Sequence, residues 1–279
     1  MKPACLYMVA TPIGHLADIS ARALEVLAEV DIIFAEDTRH SRKLLSHYGI
    51  STHVKSLHAQ NEKNRSTEVI RLLEQDKTIA YICDAGTPGV SDPGAYMVAA
   101  VVQAGHVVRP IPGASALAAG LSVCGFAESS SNTLFVGFLA VKGAKRSDTL
   151  KQIAAHQGIV VLYEGPHRFA KTLSDLVKNN PPERPLCVCR EVSKVHEEIV
   201  HTTLGEALTA HADNPKGEFT LVIGPQNTSK KPLENSDLKE RLRSLVNSGL
   251  SRRDAAKALV VLDGAAKKTL YKLLEDADI

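Results

Sequence analysis

The sequence has no tryptophan, and aromatic residues fill only 4% of its 279 positions. That scarcity weakens any surface built as a row of base-stacking platforms. Charge of one sign is also lacking: 33 lysines and arginines face 31 acidic residues, for a formal net charge of +2. Any nucleic-acid surface therefore has to be a local patch. The five cysteines are odd in number, have no framework spacing and include no Cys-x-x-Cys pair, which argues against a disulfide scaffold and against zinc. Cys187 and Cys189, two apart in an apolar run, are expected to face the same side of a strand. All five thiols are expected to pack in cores in a reducing cytosol. No run is long and apolar enough to span a bilayer. Met1-Lys2-Pro3 leads into a strand-like run without the apolar stretch of a signal peptide. The expectation is a soluble, cytoplasmic protein with no membrane contact.

Several catalytic signatures are missing as well. There is no G-x-x-x-x-G-K-[ST] phosphate loop, no G-x-G-x-x-G after the first strand, no H-E-x-x-H and no G-x-S-x-G. Nucleotide triphosphates, the usual dinucleotides, zinc hydrolysis and serine hydrolysis lose their commonest carriers. The eleven histidines are scattered without ligand spacing, so no metal is expected.

What is present reads as α/β. Strand-like runs at 6–10, 32–35, 78–83 and 107–111 alternate with helical patterns at 20–30, 66–75, 94–103 and 115–123, which predicts a doubly covered parallel sheet in residues 1–123. Residues 124–226 carry strand-like runs at 133–137, 159–163, 186–191, 197–204 and 218–223, with helices at 148–156 and 169–178. Strands following one another with little helix between them predict a mixed sheet. Residues 227–279 read as a linker and a helical, helix-turn-helix-like extension. Pro225 to Asp237 is polar, Gly249 can stop a helix, Ser251 and Asp254 form a capping signal, and Gly264 precedes a last helix over 265–276. Arg252, Arg253, Lys257, Lys267, Lys268 and Lys272 could meet phosphates there or form solvated faces.

Three Gly- and Pro-rich loops follow strands: Ala10-Thr11-Pro12-Ile13-Gly14, Asp84 to Gly94, and Pro110 to Ala116. In an open parallel sheet ligands bind beyond the carboxyl ends of strands. Glycine lets backbone approach a ligand and proline stiffens the approach. Either feature in one loop is punctuation; three at one sheet edge predict a shared small-molecule site. With few lysines nearby, a nucleoside carrying an amino-acid tail suits it better than a polyphosphate.

Ala10-Thr11-Pro12-Ile13-Gly14, Ala35-Glu36-Asp37-Thr38-Arg39, Asp84-Ala85-Gly86-Thr87-Pro88, Ser91-Asp92-Pro93-Gly94 and Pro110-Ile111-Pro112-Gly113 resemble the tetrapyrrole-methylase superfamily. Tyr163-Glu164-Gly165-Pro166-His167-Arg168 and Arg190-Glu191-Val192-Ser193-Lys194 continue the match, and within the superfamily they look like the branch that methylates small-subunit ribosomal RNA. His15, Cys83, Ala140 and Gly165 depart from the branch pattern, and none of these swaps removes a charged motif residue. The resemblance implies two α/β domains with a cleft for S-adenosylmethionine between them, 2′-O-methylation of a cytidine in the decoding region of 16S rRNA, with the RNA met in the 30S subunit, and a homodimer.

On that resemblance, cofactor contacts fall to Pro12, Gly14, Asp84, Ala85, Gly86, Thr87, Ser91, Asp92, Pro112, Gly113, Ser115 and Ala116. Asp84 is read as a ribose acceptor, against a plain turn-forming aspartate. A ribose hydroxyl is a weak acid, so a base or an alkoxide-stabilising cation helps. The candidates are Glu36, Asp37, Glu164, Glu191 and Lys194, with an Asp37–Arg39 ion pair as the competing reading. RNA contacts are assigned to Arg39, Lys43, Asn61, Arg168 and Arg190. Two alternatives stand beside this reading. A precorrin-type C-methyltransferase predicts a deep apolar cleft with no basic rim. A non-catalytic RNA-binding assembly factor of the same fold need not bind the cofactor.

Overall fold

The computed structural model describes residues 4–126, 132–210, 216–226, 235–263 and 267–275. They form two compact units that divide after Gln226. The first unit opens with a parallel sheet of β1 (Cys5–Val9), β2 (Ile32–Ala35), β3 (Val54–Ser56), β4 (Ile79–Ile82) and β5 (Val107–Ile111), in the order β3-β2-β4-β1-β5. Between and after the strands run α1 (Ala21–Glu29), α2 (Thr38–His47), α3 (Glu62–Leu73), α4 (Ala95–Gln103) and α5 (Ala116–Val123). Alternation along the strands decides which helices cover which face. Tyr7, Val9, Ala80 and Ile82 pack with Ala23 and Leu27 of α1 and Leu44 and Leu45 of α2. Leu6, Met8, Ile79 and Tyr81 pack with Val69 and Leu73 of α3 and Met97 and Val101 of α4.

A second, mixed sheet follows in the same unit. Its elements are β6 (Thr133–Phe138), α6 (Ala144–Ala155), β7 (Ile159–Glu164), α7 (Pro166–Asn179), β8 (Pro185–Arg190), β9 (Glu198–Thr203), α8 (Leu204–Ala210) and β10 (Phe219–Ile223), with strand order β6-β7-β10-β8-β9. Only β6 and β7 are parallel; the other three pairs are antiparallel. One face packs on α6, α7 and α8 through Ile153, Phe169, Leu173 and Leu204. The other packs on α5 through Leu117 and Leu121, and here Cys124, Cys187 and Cys189 are buried together. The Cys187 and Cys189 sulfurs lie 3.7 Å apart on one side of β8, and all five cysteines are free and buried. Gly120 lets α5 lie close on β10, since a Cβ there would come within 2.9 Å of Thr220 Cγ2.

Among the described residues the second unit has three helices, α9 (Asn235–Asn247), α10 (Arg252–Asp263) and α11 (Lys267–Glu275), around Leu238, Leu242, Leu259, Leu270 and Leu273. Gly249, at φ +102°, ends α9: its N–H donates to Val246 O and that of Leu250 to Leu245 O, closing the helix as a left-handed C-terminal residue does. Ser251 caps α10, accepting from Asp254 N at 3.2 Å and donating to Asp254 Oδ2 at 2.7 Å. Gly264 and the start of the expected last helix lie outside the described residues.

Several elements depart from the sequence expectation, among them α8, which has no counterpart in it, and α3, which begins at Glu62 instead of Ser66. Helix α2 was not expected, because only Ser41, Leu44 and Leu45 are buried on it and its remaining residues are polar. Strand β3 is three residues long, too short for a period to register. Helix α6 begins at Ala144 instead of Asp148, because its first buried side chain is an arginine, Arg146, bonded to Asp175 and Thr172. Helix α9 begins at Asn235, inside the expected linker.

Candidate active site

The strand order places β4 and β5 on either side of β1, so the three Gly- and Pro-rich loops leave the sheet side by side. Hydrogen bonds weld them. Thr11 and Gly86 exchange backbone bonds of 2.9 and 3.0 Å. Thr11 Oγ1 donates to Cys83 O, and Thr87 Oγ1 donates to Ala114 O. Gly113 admits the first loop, since a Cβ there would lie 3.0 Å from Ala10 Cβ. Gly14 does the same for the loop after β8: a Cβ would meet Lys194 Cγ at 2.6 Å and Ser193 Oγ at 2.7 Å.

Where these loops face the second sheet there is a cavity of about 290 Å³. Ala85, Gly86, Thr87, Ser91, Asp92, Ser115 and Ala116 of the expected cofactor set line it, as do Glu164, Glu191 and Lys194 of the expected catalytic set. Pro12, Gly14, Asp84, Pro112 and Gly113 do not line it; they belong to the loops that support its wall. Glu36 and Asp37 also lie outside the lining. Asp84 Oδ1 accepts from Asp37 N at 3.1 Å, tying the β2 and β4 loops together. Two lining residues hold left-handed backbone without being glycine, Ser91 at φ +68° and Glu191 at φ +49°. Such conformations cost about 1 kcal/mol or more each and concentrate at functional sites.

The lining is acidic. Asp92, Glu164, Glu191 and Glu218 supply four carboxylates against one ammonium, Lys194. Lys194 Nζ donates to Glu191 Oε1 and Glu218 Oε2, both at 2.9 Å. Burial opposes its charge, yet the two carboxylates outweigh it and hold the ammonium's pKa above the ordinary lysine value. Glu191 is shifted the other way: burial again opposes the charge, but the Glu218 N–H and Lys194 hold the carboxylate below its usual range. Asp92 differs. Desolvation, and then the charge of Glu36, raise its pKa to about 6. Glu36 is itself raised by burial and by Asp84. The cavity thus has one carboxyl poised near neutrality beside groups of fixed charge.

Glu164 is buried, and its carboxylate is fully engaged. Oε1 accepts from Gly165 N at 2.9 Å, Oε2 accepts from Thr172 Oγ1 at 2.6 Å, and Arg168 pairs with both oxygens at 3.1 Å. Arg168 also donates to Leu139 O. The expected base and the expected RNA contact are therefore partners in one network beneath the cavity. Arg39 is exposed and paired with Asp37 at 3.0 Å. The Arg39 side chain and backbone hold Asp37 at a pKa of about 2. Lys43 is exposed on α2. Asn61 Oδ1 accepts from His58 N, and Glu62 beside it accepts from Gly94 N and Met97 N at the start of α4. Arg190 donates to Lys216 O and Glu198. None of these five lines the cavity.

Sequence reasoning missed Phe138, Tyr163, Glu218 and Thr220 as lining residues. Glu218 had a signal, a lone charge opening an apolar run. Phe138 had none, because a bulge turns it there: the β6–β7 register shifts between Phe135 and Gly137. Gly137 sits at φ +60°, and a Cβ on it would fall 2.5 Å from Ser91 Oγ.

Residues 5–208 match the family model of the tetrapyrrole (corrin/porphyrin) methylases. Proteins named ribosomal RNA small subunit methyltransferase I are similar over nearly the whole chain. The one from Synechocystis sp. is 43% identical over 270 residues, 96% of either chain. That from Haemophilus influenzae is 40% identical over 270 residues, 96% of this chain and 95% of its own. Among solved structures, the methyltransferase CobJ superposes with a TM-score of 0.62 at 17% identity, covering 80% of this chain and 95% of CobJ. Uroporphyrin-III C-methyltransferase from Thermus thermophilus, complexed with S-adenosyl homocysteine, gives 0.59 at 16%, covering 78% and 97%. These structures share the fold, and the sequence matches go further: the chain belongs to the tetrapyrrole methylase family, in its branch of ribosomal RNA small subunit methyltransferase I proteins.

Proposed function

We propose that the ribose 2′-hydroxyl of a cytidine in the decoding region is the acceptor of this chain, an S-adenosylmethionine-dependent methyltransferase of 16S rRNA. The observation that carries the reading is the cavity's charge. Four carboxylates, with Glu164 paired to Arg168 and the single lysine bound to Glu191 and Glu218, leave a net negative lining that disfavours a polyphosphate and suits a cationic sulfonium. The near full-length similarity to ribosomal RNA small subunit methyltransferase I proteins supports the RNA as substrate. The tetrapyrrole methyltransferases are alike in fold alone, so a precorrin substrate has weaker support.

S-Adenosylmethionine, when bound, supplies an electrophilic methyl group. The residues we assign to hold it are Ala85, Gly86, Thr87, Ser91, Asp92, Ser115 and Ala116, with Pro12, Gly14, Asp84, Pro112 and Gly113 fixing the loops that carry them. Displacement at a methyl group needs the acceptor oxygen held close and in line, which rigid loops provide. Lys194 stays protonated, so we assign it to stabilising negative charge on that oxygen. Asp92 is the lining carboxyl able to exchange a proton near neutrality and is our candidate for receiving the hydroxyl proton. Glu191 positions Lys194, and Glu164 holds Arg168 in the supporting network. Glu36 is assigned to raising Asp92, and Asp37 to capping α2 over Arg39 N at 2.8 Å. Arg39, Lys43, Asn61 and Arg190, with the basic faces of the helical unit, remain our RNA-facing set.

Residues 1–123 and 124–226 are read as two domains, one around each sheet. The homodimer and a cytoplasmic location belong to the same reading. Val102, Val107 and Val123 are exposed on α4, the edge strand β5 and α5, and these apolar side chains suit a partner surface. No helix among the described residues is long and apolar enough to cross a membrane. The test is transfer of a labelled methyl group to 30S subunits and to naked 16S rRNA, with nucleoside analysis of the product. 2′-O-Methylcytidine supports the reading, and a methylated base or an unlabelled RNA contradicts it.

A further inference from the structure

We infer that Phe138 is the ring on which the acceptor strand stacks a nucleobase, and that the segment after it, Val141 to Lys145, receives the flanking backbone. The inference rests on the reading of the substrate as RNA. Phe138 lines the cavity yet is 54% exposed, in a chain without tryptophan whose Phe34, Phe169 and Phe219 are all buried. Two features keep it there. The β6 bulge with its left-handed Gly137 re-aims the strand just before Phe138, as bulges beside active sites do. The ring then meets Tyr163 edge-on, with centroids 5.6 Å apart at 62°. Tyr163 is itself fixed by Phe135 at 5.1 Å and by Leu117 N, which donates to its hydroxyl at 2.9 Å. Phe138 is thus braced on one side and open to solvent on the other, the arrangement of a stacking platform.

Charge directs the strand. The carboxylates of the cavity repel phosphates, so a backbone delivering its ribose there has to run along the rim. Lys142 and Lys145, both exposed, follow Phe138 in the loop and first turn of α6, with Val141 65% exposed between them and the ring. A single-stranded nucleotide satisfies both features, a base for the ring and phosphates for the lysines. The other occupant such a ring could take is the adenine of the methyl donor, and the experiment separates the two.

Phe138→Ala, Phe138→Leu and Phe138→Trp are compared for KM and kcat on 30S subunits and for S-adenosylhomocysteine affinity by calorimetry. Loss of one base stack is expected to raise KM about ten-fold in the Ala and Leu variants, with donor-product affinity unchanged and Trp restoring KM. Lys142→Ala combined with Lys145→Ala is expected to flatten the salt dependence of RNA binding by a slope of about 1–2. An equal fall in S-adenosylhomocysteine affinity in Phe138→Ala assigns the ring to the donor and overturns the inference. So does a Leu variant with wild-type KM. If the wild-type protein neither binds nor methylates 30S subunits, the substrate reading fails and takes the inference with it. If the wild type turns over and Phe138→Ala matches it, the inference alone fails.

Discussion

Asp92→Asn should make the protein more stable while making it a poorer enzyme. Asp92 is forced upward to a pKa of about 6 by burial and by the charge of Glu36, from the ordinary 3.8. Between those two values the folded chain holds a proton that the unfolded chain has lost. The stability from this group is therefore complete below pH 3.8 and is lost as pH rises through about 6. In a rigid, dry site the displacement corresponds to about 3 kcal/mol, at about 1.4 kcal/mol per pH unit. Solvent reaches this half-buried carboxyl and reduces the figure to about 1–2 kcal/mol. Asparagine keeps the shape and an acceptor oxygen for the Cys83 thiol but cannot ionise. Urea unfolding of both proteins at steps from pH 3.5 to 8 should give curves that coincide at the acid end. They should separate by about 1–2 kcal/mol in favour of the variant above pH 6.5. Methyl transfer by the variant should fall across the whole range. A gap that does not change with pH, or a variant less stable at pH 7.5, refutes the electrostatic account of the site.

Other outcomes follow from the same geometry. Glu164→Gln removes the charge facing Arg168 inside a buried network and should cost about 3–5 kcal/mol in denaturant unfolding; a loss below about 1 kcal/mol would return Glu164 to the list of free acids. Gly137→Val places a branched Cβ against Ser91 Oγ at a left-handed φ, so thermal unfolding should drop by at least about 2 kcal/mol. Lys194→Met should reduce kcat for methyl transfer about a hundred-fold with little change in S-adenosylhomocysteine affinity; an unchanged kcat removes it from the chemistry.

Much of the architecture was legible in the sequence because its core is periodic. The strands at 32–35 and 107–111 match β2 and β5 residue for residue, since each lies between turn residues. The mixed character of the second sheet followed from strands too close together for crossovers. Helix α2 was hidden because its buried face is narrow, and the start of α6 because Arg146 enters the interior as a hydrogen-bonding group. The candidate site was legible as loops and illegible as a cavity. Gly, Pro and Asp marked the three strand ends, whereas the opposite wall comes from residues 138, 163 and 218–220, which meet the loops through long-range packing, α5 on β10 and β7 and Gly137 against Ser91. Charge pairing was the least readable property. Arg168 looked like a phosphate ligand because the sequence places it in a charged cluster, and only the turn of α7 brings it back onto Glu164.

We assign the methyl donor to the cavity between the two sheets. Ala116 lines it at the first turn of α5, where a larger side chain takes up cavity space. Calorimetric titration of S-adenosylhomocysteine into the wild type and Ala116→Phe tests this directly. The expected result is one site per chain in the wild type and affinity at least about a hundred-fold weaker in the variant, a cost of about 3 kcal/mol. Equal affinity in the two proteins, with both folded, would contradict it.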